Sequence, residues 1–256
     1  MSRFHVALFD LGGTLIYFTA DWNAKTIETA HSLRDYLATL GYRLDPATFP
    51  DYFRRAIEAN YARRNDELIE RPTSETLRQT LSIYGYPDVP AEHITEGLRR
   101  MYALTQAHWY GEADAIPMLE TLRSQGYRIG LISNAGDDED VQTLIDNAGL
   151  RPYFEYIITS AAAGIRKPHP RIFRGALDFF GAKPEEAVMV GDFLDADILG
   201  ANNLGMGSVW IKRRAAPSHV EKFRPVITPQ ATIEALSELP ELLQRWNGTA
   251  PDRGKP

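Results

Sequence analysis

The chain has 256 residues, 28 Lys and Arg against 34 Asp and Glu, a formal net charge of −6 and no cysteine. That balance offers no clustered basic face for a nucleic acid, excludes disulfide and thiolate chemistry, and leaves no apolar run near the ~18 residues of a membrane span. With 44% hydrophobic and 24% charged residues, it reads as a soluble globular chain of one large domain or two modest ones, in a reducing, cytoplasmic compartment.

The first predicted element is a buried strand at Val6–Phe9. Its apolar run is too short, and meets Asp10 too soon, to be a secretion signal. It runs into FDLGGTL, Phe9 to Leu15, where a carboxylate stands two residues before Gly12. From about Phe18 to Ala113 no strand pattern appears. Helical patterns cover Trp22–Leu40, Pro46–Arg64, Ser74–Tyr84 and Ala91–Tyr110, broken at Gly41, Arg71-Pro72 and Gly85–Pro90. Such a block cannot lie within a parallel sheet, so it is expected as a separate helical unit.

Strand and helix then alternate. Strands are expected at Ile129–Ser133, Tyr156–Thr159, Ala187–Val190 and Ser208–Ile211, and a weaker one at Pro225–Thr228. Helices are expected at Ile116–Ser124, Asp138–Ala148, Arg171–Phe180, Asp195–Asn203 and through Ala231–Trp246. Continuous apolar strands suit a parallel sheet covered on both faces, and the alternation predicts a doubly wound, Rossmann-like α/β fold. The expected division is a discontinuous α/β core, 1–17 and 114–246, an all-helical insert, 18–113, and a polar, disordered tail, 247–256. Asn247-Gly-Thr matches a glycosylation acceptor, here read as part of that tail.

Ligands of open α/β sheets gather at the carboxyl ends of the strands. Asp10, Ser133-Asn134 and Gly191-Asp192 all stand at such ends, and Lys167 lies in the loop after Tyr156–Thr159. The segments that carry them, FDLGGTL, LISNAG, GIRKPHPRIF and VMVGDFLDADILGANNLGM, resemble in order the four motifs of the haloacid dehalogenase-like hydrolase superfamily. The resemblance covers nearly the whole core and makes the helical insert the family's cap. It implies that Asp10 is the nucleophile, forming an aspartyl-phosphate, and that Thr14, Ser133 and Asn134 contact the phosphoryl group and substrate. It further implies that Lys167 neutralises charge between nucleophile and phosphate. Mg²⁺ would be held by Asp10, the Gly12 carbonyl and Asp192, with Asp197 supporting Lys167 or the metal. The charge count agrees: three clustered carboxylates call for a lysine and a divalent cation.

Gly12 departs from the pattern. Phosphatases of the superfamily carry a second aspartate there, which protonates the leaving oxygen and then assists water. Glycine cannot transfer a proton, although its carbonyl remains. Substitute acids in the insert are Asp21, His31 and His108. Their plainer readings are a helix cap, a surface residue, and packing against Trp109 and Tyr110. Asp195 and the run Asp137–Asp140 read as helix caps and dipole partners. The pairs Arg54-Arg55, Arg63-Arg64 and Arg99-Arg100 read as solvated faces, or one of them as a greeting for an anionic substrate.

The leading expectation is a Mg²⁺-dependent hydrolase of small phosphorylated metabolites with weakened acid–base help. One alternative is a 2-haloacid dehalogenase-type hydrolase, which Asp192 disfavours because carboxylate displacement of halide needs no metal. A carbon–phosphorus hydrolase would need a Schiff-base lysine in the insert, where Lys25 stands alone. A regulator that keeps the site only for binding is the remaining alternative.

Overall fold

The computed structural model describes residues 4–248. In chain order the elements are β1 (Val6–Phe9), β2 (Ile16–Phe18), α1 (Trp22–Thr39), α2 (Phe49–Glu67), α3 (Thr73–Ile83), α4 (Ala91–Gln106), β3 (Trp109–Gly111), α5 (Ala115–Ser124), β4 (Arg128–Ser133) and α6 (Asp138–Asn147). There follow β5 (Tyr156–Thr159), α7 (Ser160–Ala163), α8 (Pro170–Phe180), β6 (Ala187–Gly191), α9 (Leu199–Leu204), β7 (Gly207–Ile211), α10 (Pro217–Phe223), β8 (Ala231–Ile233) and α11 (Leu239–Gly248).

Six strands form one sheet in the order β5-β4-β1-β6-β7-β8, with every adjacent pair parallel. The fold is a doubly wound α/β sheet of the Rossmann-like kind. The sequence of β1 shows why both faces are covered. Ala7 and Phe9 pack with α5, α6 and α11, whereas Val6 and Leu8 pack with α8 and α9. All four are buried, as the two-residue period of a strand requires when helices lie on each side. Helix α8 buries Ile172, Phe173, Ala176, Leu177 and Phe180 as a single stripe. Pro170 opens it, the His169 side chain caps it, and Gly181 closes it at φ 61°.

Helices α1–α4 share a cluster of their own, built on Leu33, Leu37, Phe49, Phe53, Leu77, Leu81, Ile94 and Leu98. The chain enters and leaves them through an antiparallel ribbon, β2 with β3, in the register Ile16↔Gly111, Tyr17↔Tyr110 and Phe18↔Trp109. This ribbon corrects the expectation of unbroken helix to Tyr110, since α4 stops at Gln106. Its three-residue strands are too short to show a period. They pair through aromatics, Tyr17 with Tyr110 at 6.2 Å and Phe18 with Trp109 at 5.3 Å between centroids.

The expected strand Pro225–Thr228 is not one. The sheet is completed by Ala231–Ile233, where a helix was expected. There Thr232 and Ile233, both β-branched, pair with Trp210 and Ile211 of β7. Helix α11 runs to Gly248, and Asn247 ties it to the sheet by accepting the Phe4 N–H at 2.8 Å. The rest of the expected tail, 249–256, lies outside the described residues.

The helical unit also meets the sheet unit at α4 and α6, where Gln106 Nε2 donates to Asp140 at 2.9 Å. Burial pushes the Asp140 carboxyl up to about 7, the Gln106 bond lowers it and Asp137 raises it again. The folded protein therefore holds this proton more tightly than the unfolded chain, whose carboxyl titrates near 3.8. Stability is full below the lower value and falls as pH climbs to about 7, by at most ~4 kcal/mol. Asp140→Asn is expected to raise the melting temperature at about pH 8 and to lose that advantage toward about pH 4. Parallel melting profiles for both proteins across this range would refute the assignment.

Candidate functional site

Strand β1 delivers Asp10 to the carboxyl edge of the sheet, and the Asp10 N–H still donates to Val190 O at 2.9 Å as β1 ends. The chain then turns tightly, with the N–H groups of Thr14, Leu15 and Ile16 all directed to Leu11 O. Gly13 makes this turn at φ 82°, and any Cβ there would strike the Asp192 carboxylate. Glycine is thus required by conformation and by close approach. Gly191 is required by close approach alone: the Asp197 carboxylate occupies the place of the missing side chain.

Lys167 is the hub. It is 2% exposed, and Nζ lies 2.6 Å from Asp10 Oδ1, 2.7 Å from Asp197 Oδ1 and 2.6 Å from Ile132 O. Burial pulls the ammonium down, but Asp10 and Asp197 hold it above the usual lysine value. Both ends of the Asn134 side chain grip the Lys167 backbone, donating to its O at 3.0 Å and accepting from its N–H at 2.8 Å. Asn134, expected at the substrate, here fixes the lysine loop. Ser133 is buried at the end of β4, and Thr14 Oγ1 stands 3.5 Å from Asp192 Oδ1.

Asp10, Asp192 and Asp197 can each place one oxygen within 4.8 Å of the others. Burial pushes Asp192 well above the carboxylate range, and Asp10 and Asp197 push the same way. Burial raises Asp197 to about 7, while Lys167 draws it down. Fully ionised, three carboxylates against one ammonium would leave two negative charges in a buried pocket, the crowding that raises Asp192 and Asp197. That deficit and an all-oxygen donor set fit one hard divalent cation.

The other candidates fall away from this centre. Asp21 caps α1, accepting the Ala24 N–H at 2.7 Å. His31 is exposed on α1, and Lys25 pairs with Glu28 at 2.8 Å. The His108 ring packs on Phe18, 6.0 Å between centroids, and Phe18 in turn packs on Trp109 at 5.3 Å. Asp137 caps α6 through the Asp140 N–H at 2.9 Å. Asp195 does not cap the turn that leads into α9. There Asp197 Oδ2 reaches back to the Phe193 N–H at 3.0 Å. Arg54, Arg55, Arg99 and Arg100 sit in surface ion pairs.

Two features carried no signal in the sequence. Gly12 has no positive φ, yet a Cβ there would lie 3.3 Å from Cη2 of Trp109. The place of the second acid is therefore walled by an indole from β3. The other is a buried cluster, Arg64, Glu70, Ser160 and Arg166, whose members come from both units. Polar residues at a predicted helix end and in the loops beyond it give no sign of burial.

A family model described as haloacid dehalogenase-like hydrolase matches residues 4–205. The chain is similar to a glyceraldehyde 3-phosphate phosphatase of Pyrococcus furiosus, 37% identical over 50% of this chain and 52% of that protein. It is similar to a phosphoserine phosphatase of Thermus thermophilus, 35% identical over 65% of this chain and 68% of that protein. The chain spans about half the length of the glyceraldehyde 3-phosphate phosphatases it matches. Among solved structures, a 2-haloacid dehalogenase from Pseudomonas syringae superposes with a TM-score of 0.65 at 24% identity, covering 95% of this chain and 99% of that one. That likeness is one of fold.

Removing one of the crowded carboxylates has an expected signature. Without metal, Asp192→Asn should melt higher than the native chain, by about 2–4 °C for each kcal/mol of repulsion relieved. With Mg²⁺ at ~100 times its Kd, the native chain should gain about 2.7 kcal/mol and the variant much less. Equal responses of the two proteins to metal in a thermal melt would remove Asp192 from the cation site.

Proposed function

The chain belongs to the haloacid dehalogenase-like hydrolase family, and we propose that it hydrolyses small phosphorylated metabolites, with Mg²⁺, through an aspartyl-phosphate on Asp10. The observation that carries this reading is the ammonium of Lys167 bridging Asp10 and Asp197 beside the poorly partnered Asp192. A nucleophilic carboxylate that must meet a phosphate dianion needs such charge compensation. The phosphatases among its relatives support the choice of phosphate as the group transferred.

In this scheme an Asp10 oxygen attacks phosphorus and the substrate's oxygen departs with the bond electrons. Water then attacks the same phosphorus, releasing inorganic phosphate and restoring the carboxylate. Lys167 stays charged throughout and offsets the negative charge on the nucleophile and the phosphoryl oxygens. Thr14 and Ser133 donate to those oxygens, and Asn134 keeps the lysine loop in register. Asp10, Asp192 and the Gly12 carbonyl would hold Mg²⁺, with Asp197 behind Lys167; bound there, the cation polarises the phosphate and draws off charge. Residues 18–113 act as the cap over a core of 1–17 and 114–246. No described helix is long and apolar enough to cross a membrane, and the proposed setting is the cytoplasm.

Gly12 sets the substrate preference within this scheme. Without an acid beside Asp10, the departing oxygen leaves unprotonated. General acid–base help is worth about 10²- to 10⁴-fold, roughly 3–5 kcal/mol of barrier. Acyl and aryl phosphates, whose leaving groups are stable anions, lose least.

Mg²⁺-dependent turnover of p-nitrophenyl phosphate and acetyl phosphate is expected, with Asp10→Asn slower by at least ~10³-fold. Chloride release from 2-chloropropionate without metal would instead establish the dehalogenase. Phosphate binding with no turnover of any phosphate would establish the regulator.

A second outcome follows from the indole beside Gly12. Gly12→Asp alone should help alkyl phosphates little, because Trp109 must move first. Gly12→Asp with Trp109→Ala should recover part of the missing ~10²- to 10⁴-fold on alkyl phosphates while changing acetyl phosphate much less. Equal gains on both substrates would show that leaving-group protonation does not limit the rate, and a full gain from the single variant would show that the indole does not block the acid.

A further inference from the structure

The connector between α2 and α3 lies antiparallel against the segment that precedes Lys167. Ile69 bridges Ile165, the Arg166 N–H donates to Leu68 O at 3.1 Å, and the Glu70 N–H donates to Gly164 O at 3.1 Å. This clip sets two arginines around one glutamate. Arg64 Nη1 lies 2.6 Å from Glu70 Oε1, and Arg166 Nη1 lies 3.5 Å from Oε2. Glu70 has other donors too, Ser160 Oγ at 2.6 Å and the Arg71 N–H at 3.2 Å. Its side chain is fully buried, and the Arg64 and Arg166 side chains are 6% and 11% exposed.

The charges do not balance. One carboxylate faces two guanidinium groups, so the cluster carries one surplus positive charge out of water. Arg64 Nε and Arg166 Nη1 are buried with no hydrogen-bond acceptor. Burial first, and then Arg64, lower the Arg166 guanidinium below its usual value. Asp195 also acts on Arg166, but it is 39% exposed and screened. The Arg64 guanidinium lies over the Tyr61 ring, 3.3 Å from its centroid, and the Thr73 and Tyr102 hydroxyls meet at 2.8 Å beside it. A latch between two units would need one arginine for Glu70; the second is what remains to be explained.

The cluster abuts both loops that serve the phosphate. Arg166 is the residue before Lys167. A Cβ on Gly136, three residues after Ser133, would lie 2.7 Å from Thr73 Oγ1 and 3.7 Å from Arg64 Nη1. Glycine there lets Thr73 and Arg64 close directly onto the loop after Ser133, and the Thr73 N–H donates to Gly136 O at 2.8 Å.

We propose that Arg64 and Arg166, held apart by Glu70, form a subsite for a carboxylate on the substrate, so that the enzyme takes phosphomonoesters of hydroxy acids. The inference rests on the phosphatase reading above. One negative charge matches the surplus, and the flat edge of a guanidinium suits the two oxygens of a carboxylate. A second phosphate would bring a dianion and reverse the imbalance.

The test compares 3-phosphoglycerate with glycerol 3-phosphate, which differ by a carboxylate against a hydroxymethyl group. The native enzyme should favour the former in kcat/KM by at least about tenfold. Arg166→Gln and Arg64→Gln should each bring that ratio to within about threefold of one, mainly through KM, and Arg64→Lys should restore part of it. A variant that folds poorly lowers both rates and leaves the ratio intact. Calorimetric binding of the same two compounds to Asp10→Asn, alone and combined with Arg166→Gln, reads the subsite without turnover. No native preference in rate or binding, or a preference that survives both arginine losses, overturns the subsite. Preferential binding that depends on Arg166, with no phosphate turned over, upholds the subsite and overturns the phosphatase.

Discussion

A lysine ammonium buried within 2.7 Å of two carboxylates governs the geometry around it. An isolated buried charge is expensive, and so is an isolated buried carboxylate; together they are tolerated only in close and well-directed contact. Close contact in turn demands that the backbone come near. Gly13 and Gly191 lack side chains where Asp192 and Asp197 need the room, and Asn134 fastens the lysine loop by both of its polar ends. The sheet supplies rigidity: β1, β4 and β6 are central neighbours, and their ends present Asp10, Ile132 O and Asp192 at one edge. The lysine offsets only part of the negative charge that the three carboxylates can carry, and an all-oxygen donor set of that kind fits a hard divalent cation.

The two units meet through different kinds of contact. The β2/β3 ribbon is short and aromatic, with Tyr110 exposed. The α4–α6 contact is polar, centred on a carboxyl that burial pushes up to about 7. The clip at Ile69 and Ile165 joins the helical unit to the residue before Lys167. Glu70 of the helical unit and the residue before Lys167 therefore share one stretch of backbone pairing.

The sheet was largely legible in the sequence because Val6–Phe9, Ile129–Ser133 and Ala187–Val190 are apolar on both faces, and a parallel sheet buries both. Asp10 and Asp192 were legible because polar residues interrupt those runs at strand ends, whereas Lys167 and Asp197 were legible only through the resemblance of GIRKPHPRIF and VMVGDFLDADILGANNLGM to known motifs. What escaped notice was set by distant partners. Ile16–Phe18 is a strand only because Trp109–Gly111 lies beside it. Ala231–Ile233 resembles the start of a helix until β7 offers an open edge. Arg64 was read as one of a solvated pair, yet its partner is Glu70 and its neighbour is Arg166, 102 positions on in the chain. Asp195 was taken for a cap because it stands where one is common; Asp197, two residues later, has the better reach.

Trp109 belongs to the ribbon that strings the helices to the sheet, and its ring tip closes the hollow beside Gly12. Any swing of the helices about that ribbon must carry the indole with it. The wall beside Gly12 and the posture of the helical unit are therefore mechanically linked, and a tryptophan fluorophore sits at that joint.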